Sequence, residues 1–281
     1  MRIVLALCIV FMVKSGIAQV PLNIMTFNIR LDIASDSLNA WQYRKDKAAS
    51  QILFHEADII GVQEALHNQM LDLQQSLKDY QYTGVGRDDG KTKGEYSAIF
   101  YNTTRLELLR SSTFWLSETP AVPGSKSWDA AITRIVTWAK FKDKTNGEIF
   151  YHFNTHFDHI GKIARRESAK MILKVVDSIA GKTIALITGD FNAHPADEPI
   201  QVIVDKSNAL HLTDSKETSL TEHYGPTGTF NAFGPKENSN DPIDYIFFNH
   251  GIKVLKHATI SQSWQGRFSS DHFPVWVRVV L

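Results

Sequence analysis

Runs of apolar residues along the chain predict a protein built mainly from β-strands. Leu22 to Ile29 and Asp58 to Glu64 are apolar runs that finish in polar residues, which is typical of buried strands ending at a sheet rim. Thr133 to Ala139 and Ile149 to His156 alternate apolar and polar side chains around a Lys-Thr-Asn-Gly turn, which predicts an antiparallel hairpin. Further strands are predicted at 95–101, 106–109, 113–116, 184–187, 243–248 and 275–280.

Helical periodicity separates several of these strands. Residues 41–57, 70–77 and 163–180 carry apolar side chains at helical spacing, and 199–205 predicts a short fourth helix. No internal repeat or linker composition interrupts the sequence, so we predict one domain over residues 19–281. Because many strands come as hairpins and the helices can only cover the outside, the pattern favours stacked sheets flanked by helices, an α/β (α+β) fold.

The first eighteen residues form a separate element. Met1-Arg2 precede the apolar run Ile3 to Val13, and small residues follow at Gly16 and Ala18, which is the pattern of a secretory signal peptide. The run is too short to span a bilayer. We therefore predict a signal peptide at 1–18 and a mature protein that is secreted or periplasmic.

Composition and charge narrow the picture further. With 43% hydrophobic and 21% charged residues the chain is globular, and its 30 basic and 30 acidic side chains balance, so no general field attracts polyanions. The single cysteine, Cys8, lies inside the predicted leader, which leaves a mature chain without disulfides. A lipoprotein signal is disfavoured, because Leu7 stands before Cys8 where a small residue is needed.

Candidate chemistry collects where the predicted strands end. The strand at 184–187 leads into Thr-Gly-Asp190-Phe191-Asn192, and residues two apart in an extended backbone point to the same side, so Asp190 and Asn192 lie together. Asn28 and Glu64 finish two earlier strands in the same way. The sequence predicts a site assembled from many strand ends.

Histidines and further polar residues extend this predicted site. Asn154 and His156 share one face of the hairpin's second strand, and Arg134 begins its first strand. We expect Arg134 to reach the site and contact phosphate, the alternative being a surface salt bridge. His272, beside Asp271, supplies a base if Asp244 holds its other ring nitrogen.

The donor set indicates a hard cation. Carboxylates and amide oxygens suit Mg²⁺, with Mn²⁺ or Ca²⁺ as substitutes. A zinc site made of His152, His156 and His159 is the weaker hypothesis, because the first two lie in a strand pattern and not on adjacent helical turns.

Metal, base and polar donors together fit the attack of activated water on a phosphorus centre. A serine hydrolase is disfavoured, since the sequence contains no Gly-x-Ser-x-Gly elbow. Two alternatives stay open: a phosphate-binding or adhesive module without turnover, and a glycoside hydrolase using Glu64 and Asp190, which EDTA would not inhibit.

Six short motifs, in order, resemble the endonuclease/exonuclease/phosphatase (DNase I-like) superfamily, in a secreted bacterial-type form. The motifs are Thr-Phe-Asn28-Ile-Arg, Gly-Val-Gln-Glu64, Asn154-Thr-His156-Phe-Asp158-His, Thr-Gly-Asp190-Phe-Asn192, Ile-Asp244-Tyr and Ser-Asp271-His272-Phe-Pro. The resemblance covers roughly residues 22–281. It implies a four-layer αββα sandwich of two packed, mostly antiparallel sheets between helical layers, with the site at one edge.

The resemblance also implies roles for the residues. It places magnesium at Glu64 with Asn28 nearby and Asp271 beside the metal. Phosphate or nucleophile contacts would come from His156, Asp190 and Asn192, with Asp190 also near the metal and Asn28 and Asn154 near the substrate. His272 would be the base, paired with Asp244.

Glu95 stands where DNase I-like members carry a carboxylate that supports the histidine matched by His156, so we expect it to keep His156 protonated. The chain lacks the long apolar hairpin of secreted sphingomyelinases and the basic surface of DNA-repair members. The expected substrate is therefore a phosphoester whose class stays open: nucleic acid, nucleotide, phospholipid headgroup or sugar phosphate. We expect a monomer without an obligate protein partner.

Overall fold

The computed structural model describes residues 20–234 and 240–281, so the predicted signal peptide lies outside the described residues. Within them the strands are β1 Leu22–Asn28, β2 Ile59–Ala65, β3 Tyr80–Thr83, β4 Tyr96–Asn102, β5 Leu106–Trp115, β6 Ile135–Asp143, β7 Ile149–His156, β8 Ile184–Asp190, β9 Thr213–Asp214, β10 Asp244–Phe248, β11 Lys253–Thr259 and β12 Val275–Val280. The α-helices are α1 Lys45–Phe54, α2 His67–Ser76, α3 Lys162–Ala180 and α4 Glu198–Val204. Two 3-10 helices, Ala34–Asn39 and Trp41–Tyr43, precede α1.

The strands form two six-stranded sheets. The first has the order β11-β12-β1-β2-β4-β3 and the second the order β5-β6-β7-β8-β10-β9. Every pairing is antiparallel except β1 with β2 and β7 with β8. The prediction of mostly antiparallel sheets is therefore confirmed.

Three apolar clusters hold four layers together. Side chains such as Ile24, Phe141 and Val277 fill the space between the two sheets. Helices α1 and α2 pack on the outer face of the first sheet, and α3 and α4 pack on the outer face of the second. The expected αββα sandwich is confirmed, and none of the described helices is long and apolar enough to cross a membrane.

Edge strands account for most differences from the predicted elements. β3, β9 and β11 lie at sheet edges and were not predicted, and β5, also at an edge, is one strand where two were predicted. Its register shifts between Leu108 and Arg110, where a bulge interrupts the apolar alternation. An edge strand has one neighbour and an exposed side, so it needs little of the apolar pattern on which the prediction relied.

A polar contact joins the two sheets at Asn154, which the sequence analysis had placed at the rim with the substrate. Asn154 is fully buried; its Nδ2 donates to the carbonyls of Val62 (2.9 Å) and Ala98 (2.8 Å) in the opposite sheet. Its Oδ1 accepts from Gln63 Nε2 (2.6 Å) and Thr188 Oγ1 (3.0 Å). Every hydrogen-bonding group of the amide is used within the protein, so Asn154 fastens the sheets and is not available to a substrate.

Candidate active site

Strand direction explains why the polar residues meet. β1 and β2 run parallel, as do β7 and β8, so the carboxyl ends of all four lie at one edge and present Asn28, Glu64, His156 and Asp190. Because β10 and β12 run antiparallel to their neighbours, their first residues lie at this same edge. Asp244 lies directly opposite Asp190, and 271–272 precede β12.

Asn28 lies at the centre of this edge. Its Nδ2 donates to Glu64 Oε1 at 3.1 Å and to Asp190 Oδ2 at 3.0 Å, and lies 3.5 Å from His272 Nε2. The amide of one fully buried residue therefore links carboxylates from both sheets. The prediction that strand ends 162 residues apart converge on one site agrees with this geometry.

Three residues of the site adopt left-handed backbone conformations. Arg30, Glu64 and Asn192 have φ values of 57°, 64° and 46°. Such φ values are costly for residues other than glycine and persist where the surroundings impose them. At Glu64 the cause is a bulge, because the register of β2 against β4 shifts between Val62 and Ala65. The bulge turns the Glu64 carboxylate toward the cleft.

His272 and Asp244 form the predicted pair. His272 Nδ1 lies 2.9 Å from Asp244 Oδ2, which leaves Nε2 facing Asn28 and, at 3.7 Å, Asp190 Oδ2. Burial opposes protonation of the imidazole, but Asp244, Asp190 and Asp271 outweigh it and hold the pKa of His272 well above its usual range. Burial and then the charge of Asp244 raise the pKa of the Asp190 carboxyl.

Glu95 was expected to support His156, but in the structure its hydrogen bond goes to an arginine. Glu95 Oε2 bonds Arg87 Nη1 at 2.7 Å, whereas His156 Nδ1 lies 3.9 Å away. Burial, then the neighbouring Arg134, lower the pKa of His156 well below its usual range. The Asn192 amide donates to His156 Nε2 at 3.0 Å, which places the ring proton on Nδ1. Nδ1 is therefore the hydrogen-bond donor of His156, and the structure shows no hydrogen bond from it to Glu95.

Arg134 reaches the cleft as predicted. It is 5% exposed, and its Nη1 lies 3.8 Å from Glu95 Oε2. Within the described residues its Nε and Nη1 find no hydrogen-bond acceptor, nor does His156 Nδ1. Buried donors without acceptors are rare and suggest a missing partner that accepts hydrogen bonds. His159 Nδ1 lies 3.4 Å from Arg134 Nη2 and extends the same wall.

A cleft of about 490 Å³ opens over these residues. Its walls include residues to which the sequence analysis gave no role, among them Arg30, Ile132 and Phe230, and also His159, which it had considered only for the zinc site. Arg30 is the last residue of the Asn28 motif, so its position was a usable signal. Phe230 lies in the segment 224–234, and no periodicity of the sequence indicates that this segment reaches the cleft.

Oxygen donors are grouped closely enough to hold a cation. One ligand atom each from Glu64, His156 and Asp190 lies within 4.8 Å of the others, and a second such group comprises Asp190, Asp244 and His272. The Asp271 carboxyl, whose pKa burial raises, lies beside them, with its Oδ2 3.7 Å from Arg30 Nε. Crowded carboxylates of this kind suit a divalent cation.

Comparison with known proteins identifies a family and two similar bacterial structures. The sequence profile described as "Endonuclease/Exonuclease/phosphatase family" matches residues 25–272. The chain is 42% identical to an endonuclease/exonuclease/phosphatase of Bacteroides vulgatus, with a TM-score of 0.89, 93% of this chain covered and 99% of that one. It is 39% identical to the mannosyl-6-phosphatase of Bacteroides thetaiotaomicron, with a TM-score of 0.87, 92% of this chain covered and 100% of that one.

A more distant similarity reaches a eukaryotic protein. Nocturnin of Drosophila melanogaster is 27% identical over 278 residues, covering 83% of this chain and 41% of that protein. The chain thus spans less than half the length of this curated relative. The profile match, the two similar structures and the convergence of the six motifs at one edge lead to the same conclusion: the chain belongs to the endonuclease/exonuclease/phosphatase family.

Proposed function

We propose that the protein is an exported, divalent-metal-dependent phosphoesterase that hydrolyses phosphomonoesters of small polar alcohols, such as sugar phosphates. One observation carries the hydrolytic part of the proposal. The Asn28 amide links Glu64 and Asp190 at 3.1 and 3.0 Å, directly beside a His272–Asp244 pair at 2.9 Å. Cation ligands and a held imidazole therefore share one wall of a cleft.

Glu64, Asp190 and Asp271 would hold the cation, with Asn28 orienting the first two. When bound there, a divalent cation such as Mg²⁺ supplies positive charge that polarises a phosphoryl oxygen and opposes protonation of His272. The zinc hypothesis loses support, because His152 is fully buried between the sheets with its Nε2 2.7 Å from Thr188 Oγ1.

His272 would act as the base. Asp244 fixes the tautomer in which Nδ1 carries a proton, so Nε2 faces the cleft and can accept one. Water would lose a proton to Nε2 and form the new P–O bond as the ester P–O bond breaks; the departing alkoxide would take a proton from solvent and leave as the alcohol, and Nε2 would release its proton to solvent.

The orphaned donors would bind the phosphoryl group. Three buried donors have no acceptor among the described residues: Arg134 Nε, Arg134 Nη1 and His156 Nδ1. Both residues line the cleft. Such donors stabilise charge that grows on the phosphoryl oxygens in the transition state. Asn192 keeps His156 turned toward this position through the 3.0 Å bond to Nε2.

The cleft favours a small substrate over a nucleic acid. Among the described residues it offers one phenyl ring, Phe230, and no tyrosine or tryptophan as a base-stacking platform. A net charge of zero supplies no attraction along a polyanion. The 39% identity to a mannosyl-6-phosphatase over nearly the whole of both chains supports a phosphorylated sugar.

Export is supported by the leader pattern at residues 1–18, and a mature sequence without cysteine is compatible with it. A periplasmic or secreted phosphatase would meet its substrates outside the cytoplasm. Labelling of the mature N-terminus in secreted and periplasmic fractions tests this part; an intact Met1 in the cytoplasm contradicts it.

The activity is tested with purified mature protein and Mg²⁺. Release of phosphate from mannose 6-phosphate and glucose 6-phosphate is compared with cleavage of bis-p-nitrophenyl phosphate and single-stranded DNA, with EDTA as the control. We expect EDTA-sensitive phosphate release from the sugar phosphates. Preferential cleavage of DNA or of the diester would contradict the substrate class, and activity unaffected by EDTA would contradict metal dependence.

A further inference from the structure

Arg44 is a buried arginine that lies beneath the cleft and does not touch it. It is 1% exposed. Its Nε donates to the carbonyl of Asn39 at 2.5 Å, its Nη1 to those of Ile29 (2.7 Å) and Ser269 (2.8 Å), and its Nη2 to that of Arg30 (3.3 Å). All four acceptors are backbone carbonyls.

This arrangement is unusual for a buried charge. No carboxylate among the described residues hydrogen-bonds the guanidinium, which instead packs against the rings of Trp41 and Phe233, at 5.4 and 5.2 Å from their centroids. Taking a cation out of water is costly, so an arginine held this way has a structural or functional reason. Its acceptors indicate what that reason is.

The carbonyls that Arg44 binds belong to the segments that carry the proposed ligands. Ile29 and Arg30 directly follow Asn28, and Ser269 lies two residues before Asp271. Arg30 is one of the residues with positive φ, and Gln69 Nε2 also donates to its carbonyl, at 2.8 Å.

A third segment joins the same point. Phe233, whose ring lies over the guanidinium, follows Asn231 and Ala232. The backbone N–H groups of Asn231 and Ala232 donate to the Asp271 carbonyl at 2.7 and 3.1 Å. Arg44 therefore lies where three segments come together: the residues after Asn28, the residues before Asp271, and 231–233.

We propose that Arg44 is the positioning residue of the metal-binding side of the cleft: its guanidinium ties the segment after Asn28 to the segment before Asp271, and so sets the spacing of the cation's ligands. The inference rests on the proposed function for its metal, and on the four carbonyl contacts for its mechanism. A planar guanidinium reaches carbonyls on several sides at once, which a lysine ammonium on a flexible stem does not.

The first test compares Arg44→Lys with Arg105→Lys. Arg105 is a matched control, because it is also largely buried and also donates to carbonyls, those of Pro21 and Val20, at the opposite end of β1. Calorimetric titration with Mg²⁺ alone should show affinity reduced by about tenfold or more in Arg44→Lys, the scale seen when residues behind metal ligands are changed. Arg105→Lys should bind Mg²⁺ like the wild type. Equal losses in the two variants would overturn the proposal.

Hydrogen exchange supplies a readout that needs neither metal nor substrate. In metal-free protein, Arg44→Lys should accelerate exchange in peptides covering 29–32 and 267–273 well beyond Arg105→Lys, and unchanged exchange there would overturn the proposal. If the wild type binds no Mg²⁺, the proposed function is wrong. The hydrogen-exchange comparison of the two variants still tests whether Arg44 positions the two segments. If Arg44→Lys does not fold, hydrogen exchange of the metal-free wild type is the test. Amide protection of residues 29–32 and 267–273 comparable to that of the central strands would support the proposal. Rapid exchange in these two segments would overturn it.

Discussion

Glu64 shares the Asn28 amide with Asp190 but, unlike Asp190, keeps some contact with solvent. A carboxylate at the cleft surface contributes charge to a cation and little to the packing of the core. Arg134 is the reverse, a cation so deeply placed that burial lowers its pKa, and its Nε and Nη1 meet no acceptor among the described residues. At the scale of single residues, the proposed function would therefore place the cation and the phosphoryl group on separate sides of the cleft.

Replacing Glu64 by Gln should remove most Mg²⁺ binding while the fold remains. The amide keeps the size of the side chain and loses its charge, so we expect affinity to fall by about tenfold or more. Titration calorimetry measures the affinity and circular dichroism the fold. Glu107→Gln, on exposed β5, is the control. Unchanged Mg²⁺ affinity in Glu64→Gln would show that Glu64 is not a ligand.

Arg134→Ala should raise KM or lower kcat by a factor of about ten or more, the scale of a lost charge-assisted hydrogen bond. Mg²⁺ affinity should change little, because Arg134 lies on the phosphoryl side. Arg110→Ala serves as the matched control, since Arg110 lies exposed on the neighbouring strand. Steady-state kinetics on a sugar phosphate within twofold of the wild type would return Arg134 to a purely structural role.

At the scale of elements, the sequence predicted the strands and helices that have a regular apolar pattern. It missed features that depend on contacts with neighbouring elements. Central strands such as β1, β2 and β10 are rich in apolar residues and were predicted to within a residue of their ends. Asn154 and His156 have the same local pattern, yet one is buried against the opposite sheet and the other faces the cleft. The difference between the two residues comes from the way the sheets stack, and the sequence pattern of a single strand carries no information about that stacking.

Gly61 shows the same dependence on stacking. A Cβ at Gly61 would collide with Thr188 Oγ1 and the Asn154 amide, so the sheets approach each other there only because the side chain is absent. No turn or positive φ requires this glycine, and its role could not be recognised from one sequence.

Asn154→Leu should destabilise the fold by about 2–4 kcal/mol, because the carbonyls of Val62 and Ala98 and the Gln63 amide lose their partner in a dry interior. Urea unfolding measures the change. Asn146→Ala, in the exposed turn between β6 and β7, should cost much less. If Asn154→Leu is as stable as the wild type but has a raised KM, the original assignment of Asn154 to substrate binding would be restored.

Two buried histidines outside the cleft contribute to the response of the whole molecule to acid. Burial lowers the pKa of His152 and of His257 to about 3, and His223 reinforces the shift at His257, with the two Nδ1 atoms 2.9 Å apart. In the unfolded chain each binds a proton near its ordinary pKa of 6.5. Between pH 6.5 and 3 the unfolded state therefore holds more protons on these residues, so their contribution to stability is lost as pH falls through this window.

The His257→Gln variant isolates part of this effect. Urea unfolding at pH 7, 6, 5 and 4 should show a shallower loss of stability with acid than in the wild type, whatever the variant's stability at pH 7. Asp214 opposes the trend, since burial raises its pKa to about 6 and its protonation favours the fold, but it is common to both proteins. Parallel pH profiles for the two proteins would mean that His257 is not kept neutral by folding.

The left-handed residues Arg30, Glu64 and Asn192 set stability against activity. A glycine at each would relax the backbone, and removing the Glu64 carboxylate would also relieve its repulsion with Asp271. Selection for heat resistance alone should therefore enrich Glu64→Gly and glycine substitutions at the other two positions, which would give a protein with a higher Tm and no activity. A thermostable variant of practical use has to be sought elsewhere in the fold, with these three positions held fixed.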